Sequence, residues 1–100
     1  MSESVYKMFM VKPTEAYWCL PKEQRQELLA DVRACLDKAG GKAVLYCDSS
    51  WSSEEWLLFG VEEFPNFEAV RLHSKLLGDM DWYRFLESKT LIGTATMPSE

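Results

Sequence analysis

One hundred residues suffice for a single domain, residues 1–100, with one modest core, because a chain of this size buries roughly 65% of its unfolded surface on folding. Eleven basic against sixteen acidic residues leave a net charge of -5, a balance that repels phosphate backbones and anionic bilayers, so no nucleic acid and no membrane is expected as a partner. The longest apolar run is too short to span a bilayer, and the four apolar residues between Lys7 and Lys12 do not make a signal-peptide core, so a cytoplasmic protein is expected.

Cys19, Cys35 and Cys47 are an odd set without CxxC spacing. They predict reduced thiols rather than a disulfide framework, and no metal site.

Val5 to Val11 predicts the first strand, with Val5, Phe9 and Val11 on one face and Tyr6, Met8 and Met10 on the other. The second set reads as a pocket wall or as gap-filling core. Pro13 ends the strand, and PTEAYWCLP reads as a loop carrying Tyr17 and Trp18. A helix is expected from Pro21 to Ala39, with proline in its first turn, an apolar stripe at Leu28, Val32, Cys35, Leu36 and Ala39, and Gly40-Gly41 as its stop. Lys42 to Asp48 predicts the second strand, in which Tyr46 and Asp48 share a face, and SSWSSEE reads as a loop with Trp51 at its tip.

Trp56 to Val61 is a short apolar run that predicts the third strand, with Glu62 and Glu63 marking where it surfaces. Its alternation places Leu57, Phe59 and Val61 on a core face, and Trp56, Leu58, Gly60 and Glu62 on the other. The missing side chain at Gly60 beside an indole and a carboxylate suits a pocket. After Pro65, Asn66 is a helix cap, Glu68 sits in the first turn, and apolar residues recur at Ala69, Leu72, Leu76 and Met80, so a second helix is expected to end near Gly78. His73, the one histidine of the chain, falls within or at the border of that stripe. GDMDWYRFLE then reads as a turn, KTLIGTATM as the fourth strand with Gly93 a bulge or close approach, and the tail PSE as loose.

The order is βαββαβ: an α+β, ferredoxin-like antiparallel sheet with two helices on one face. Three strands are apolar on both faces, and two helices cover only one, so a second copy of the chain is expected to cover the other.

The segments FGVEEFPNFEAV and GDMDWYRFLESKTLIGT resemble small members of the ferredoxin-like superfamily that pair sheet to sheet as dimeric α/β barrels. The resemblance implies a homodimer with one cavity per subunit for a small apolar ligand. Relatives include polyketide cyclases, muconolactone isomerases, cofactor-free quinone-forming monooxygenases, haem-degrading monooxygenases and chlorite dismutase-like proteins, so fold alone selects no reaction. Haem-degrading members use an asparagine on the first strand; none stands there in this sequence, and no cofactor is expected.

Cofactor-free acid/base chemistry, as in a cyclase or isomerase, fits the remaining residues. His73 would act with Tyr6, Tyr46 or Tyr83 as base and oxyanion partner, Glu62 beside Trp56 is an alternative acid or base, and Arg84 would position an acidic or phenolic group. Tyr83 and Arg84 serve equally well at a dimer interface, and Met8 and Gly60 shape the pocket. A cofactor-free monooxygenase and a non-catalytic dimeric binding protein are the alternatives. An RNA-recognition module shares the element order, but Glu54 and Glu55 stand where a basic residue is wanted.

Overall fold

A computed structural model describes residues 4–96. The elements are β1 (Val5–Pro13), α1 (Glu15–Trp18), α2 (Lys22–Lys38), β2 (Lys42–Asp48), β3 (Leu58–Phe64), α3 (Phe67–Asp79), α4 (Trp82–Phe85) and β4 (Leu86–Thr94). The four strands form one sheet in the order β2-β3-β1-β4, every neighbouring pair antiparallel. This is the ferredoxin-like arrangement expected from the sequence.

Local signals explain the two long helices. Pro21 at the cap position and Glu23 in the first turn start α2, and Gly40 ends it with φ of 79°, a backbone that residues with a Cβ adopt at a cost. The Asn66 side chain accepts a hydrogen bond from the Ala69 amide at 2.8 Å, which starts α3. At one end of the sheet Val5 and Phe64 pair across β1 and β3 and pack with Leu36, Ala39, Ala69 and Val70. At the other, Leu28, Cys35, Leu77, Trp82 and Leu86 form a second cluster. Each cluster gathers residues from helices and sheet, so the two clamp the helices to the sheet near its ends.

Several local expectations change. The segment after Pro13 is not all loop: α1 forms there, and Thr14 ties it to the chain's far end through Thr14 Oγ1 to the Arg84 carbonyl at 2.8 Å. The WYR segment is likewise a helical turn, α4, entered through Asp81 at φ of 61°. One turn is too short to show a helical period in sequence. The irregularity expected at Gly93 lies in β2 instead, where the register shifts between Ala43 and Leu45; Gly93 pairs regularly with Tyr6. β4 starts earlier than expected, at Leu86, while Met97 and the tail PSE fall outside the described residues.

The largest correction concerns β3. The strand does not surface at Glu62; it runs on to Phe64, and Glu62 is only 6% exposed. The face assignment of its apolar residues is also reversed. Phe64, Glu62 and Gly60 turn toward the helices, whereas Phe59, expected in the core, is exposed on the outer face, 40% accessible in this chain. The outer face carries Met8, Leu45 and Leu91 as well, all exposed.

Candidate functional site

The strand register sets the site. On β1, Lys7 and Phe9 lie opposite Glu62 and Gly60 of β3, and Tyr46 of β2 lies opposite Gly60 from the other side. A lysine, a glutamate and a tyrosine therefore come to the helix-facing side of three neighbouring strands. Gly60 makes this possible. A Cβ there would stand 2.6 Å from the Tyr46 ring, 2.8 Å from the Leu45 carbonyl oxygen and 2.9 Å from the Phe9 ring. The space a side chain would fill is occupied by Tyr46 and Phe9, whose rings meet edge to face at 5.6 Å.

Tyr46 donates its hydroxyl proton to Glu62 Oε2 at 2.5 Å, a short charge-assisted bond. From α3, His73 comes down onto the same spot: its Nδ1 stands 3.1 Å from Lys7 Nζ, and its ring packs on Phe64 at 5.2 Å. Lys7 is 7% and His73 3% exposed. Above these groups a cavity of about 600 Å³ opens between sheet and helices, walled by Phe9, Val32, Leu77 and Trp82 and reached by Lys7, Tyr46, Glu62 and His73. Its walls are mainly apolar with a few convergent polar groups, the usual make-up of a small-molecule site.

Burial governs the electrostatics. It raises the Glu62 carboxyl above the ordinary range, against the opposing pull of the Tyr46 hydrogen bond and the Lys7 charge. Burial lowers Lys7, with Glu62 opposing, and pushes His73 down to about 4 with Lys7 adding to the effect. Tyr46 is raised by burial and by its bond to Glu62. At neutral pH His73 is uncharged.

The remaining residues singled out in the sequence divide. Tyr83 stands where the cavity adjoins a shallower groove, and burial raises its hydroxyl. Trp56 belongs to that groove, under the Lys12 ammonium at 5.3 Å from the ring centre, not to the cavity of Glu62. Tyr6 and Met8 alternate onto the outer face of β1, so neither walls the cavity. Arg84 is exposed beside Asp81 at 3.9 Å and over the Phe85 ring, away from the cavity. Lys7 was missed by sequence reasoning, although it shares the alternation of Val5, Phe9 and Val11 and so stood as a charge on an apolar face.

A metal ion held by side chains alone fits poorly here. No three His, Cys, Asp or Glu side chains cluster as metal ligands among the described residues. His73 has its Nδ1 tied to Lys7 at 3.1 Å, which leaves Nε2 as its other ring nitrogen. That nitrogen is also buried without a hydrogen-bond partner.

No family model and no curated protein matches the sequence. Solved structures do. A variant of chlorite dismutase from Candidatus Nitrospira defluvii aligns with a TM-score of 0.76 at 16% identity, over 98% of this chain and 42% of that one. The chain shares its ferredoxin-like α+β fold with the matched part of that protein. The form of that protein in complex with imidazole gives a TM-score of 0.75 at 17% identity, again over 98% of this chain and 42% of the other. This chain thus spans about two fifths of the length of the chlorite dismutase chains it matches. A de novo designed protein, Foldit4, is similar at a TM-score of 0.54 and 13% identity over 94% of this chain and 99% of that one. The architecture shared by all three fixes no chemistry.

Proposed function

We propose that this chain binds a small, largely apolar molecule, aromatic or polyketide-like, in the cavity between sheet and helices, and moves a proton on it without a cofactor, as a cyclase or isomerase does. The observation that carries this reading is the Tyr46–Glu62 hydrogen bond at the floor of that cavity. A carboxylate whose pKa is raised by burial is a stronger base than a solvated one and works nearer neutral pH. Tyr46 holds Oε2 and leaves Oε1 to take a proton from carbon. The base is Glu62 rather than His73, because an imidazole with a pKa of about 4 accepts protons weakly. Tyr83 contributes at the mouth of the cavity.

Deuterium exchange at the acidic carbon of benzoylacetone, followed by NMR, tests this. The protein is expected to accelerate exchange, and Glu62→Gln to lose about a hundredfold or more of that acceleration. Equal rates for the wild type and Glu62→Gln, with the diketone bound, would leave a binding protein in place of an enzyme.

A second copy of the chain is the proposed cover for the outer face, where Met8, Leu45, Phe59 and Leu91 stand exposed on one side of the sheet. Sedimentation at micromolar concentration is expected to give a dimer, and Phe59→Glu a monomer. A wild-type monomer would sink the dimer.

A further inference from the structure

Proton transfer by Glu62 and Tyr46 leaves one reactive group of the cavity unused. We propose that Lys7 is a nucleophilic amine that forms an imine with a ketone or aldehyde held in this cavity. The inference rests on the cavity being a small-molecule site, and it narrows the ligand to carbonyl compounds.

The placement supports it in three ways. Lys7 is withdrawn from bulk water at 7% exposure yet reaches the cavity, so its amine meets a ligand before it meets solvent. Its Nζ is held at 3.1 Å from His73 Nδ1, which takes one N–H and leaves the nitrogen lone pair free to point elsewhere. Its cross-strand neighbour is Glu62, a carboxylate already tied to Tyr46. Desolvation, which lowers the affinity of Lys7 for its proton, works in the same sense.

The chemistry balances without an oxidant or reductant. The Nζ lone pair bonds to the carbonyl carbon as the C=O π pair moves to oxygen. One Nζ proton passes through the Glu62 carboxylate to that oxygen, giving a carbinolamine. The second Nζ proton leaves by the same carboxylate and departs with the hydroxyl as water, while the nitrogen pair closes the C=N bond. Taking a proton back onto nitrogen turns the imine into an iminium, whose neighbouring carbons are more acidic than those next to a ketone, so the step prepares the proton transfer assigned to Glu62.

The test uses the full chain with naphthaldehyde and cyanoborohydride, which reduces an imine to a stable secondary amine, followed by peptide mapping. Lys7 is expected to be labelled at least about tenfold faster than the mean of the other six lysines, as for other desolvated lysines. Lys7→Arg keeps a buried N–H donor but is expected to lose this label. If that variant fails to fold, the wild-type map still decides. Labelling spread over the exposed lysines with Lys7 unmodified overturns the inference. A parallel titration with naphthalenemethanol, which has no carbonyl, is read from tryptophan fluorescence and separates two failures. Binding of the alcohol with Lys7 unlabelled removes only the imine; absence of binding removes the ligand site as well.

Discussion

Lys7 and Lys12 stand on the same strand and each has a carboxylate on a neighbouring strand, but they point to opposite faces of the sheet. Lys12 reaches Glu87 at 3.2 Å and Glu55 at 3.8 Å with all three side chains partly or largely in solvent. Lys7 faces Glu62 and His73 under the helices, where all three are buried. Water separates the two cases. Outside, it screens each charge and the pairs stay ordinary ion pairs. Inside, burial strips most of it away, and the same residue types shift their proton affinities.

The two strand glycines give the largest contrast between these faces. Gly60→Ala drives a Cβ into the Leu45 carbonyl and the rings of Tyr46 and Phe9, so a loss of about 3 kcal/mol is expected in urea unfolding. Gly93→Ala meets nothing within 4 Å, and a change within about 0.5 kcal/mol is expected. Equal effects would mean that the inner face is not packed as described.

Acid separates the faces next. His73 is lowered from 6.5 to about 4 in the folded chain, so between those values the unfolded chain takes up a proton that the folded one refuses. Stability from this group is full above pH 6.5 and falls as pH drops toward 4, by about 2 kcal/mol after allowance for screening. Glu62, raised by burial, works in the opposite sense, so the slope is read as the difference between wild type and His73→Gln. The single histidine signal in proton NMR should titrate with a midpoint near 4; a midpoint at 6.5 would place the ring in water.

Tyr46→Phe removes the donor to Glu62 and is expected to cost about 1 kcal/mol. That hydrogen bond also lowers the Glu62 carboxyl, so its loss should move the acid limb of the benzoylacetone exchange profile to higher pH. An unmoved limb would disconnect Tyr46 from the base. Smallest of all, Lys12→Met on the outer face should change stability by less than about 0.5 kcal/mol and vanish into the baseline in high salt.

Much of the architecture was legible because its signals are local. Pro21, Gly40 and Asn66 bound the helices, and alternation placed Gly60 and Glu62 on one face. What escaped was set between strands. The β1–β3 register alone brings Lys7 opposite Glu62, and only α3 packing sets His73 on Lys7. Tyr6 and Met8 look like pocket residues until the helices choose a face, and they choose the one carrying Lys7 and Phe9. The buried end of β3 was unreadable for a related reason: two adjacent glutamates look solvated in sequence, whereas Glu62 turns inward to Tyr46 and Glu63 outward to Lys42 at 3.6 Å.

The register shift in β2 has a consequence for the protein at high concentration. β2 ends the sheet, with Val44 and Leu45 exposed along it, and such a rim is a template onto which other chains add strands. The extra residue at Val44 interrupts the even row of amide and carbonyl groups that a new strand would need, and twists the rim away from flatness. A deletion of Val44 that restored the even row would open the protein to fibril growth from this side.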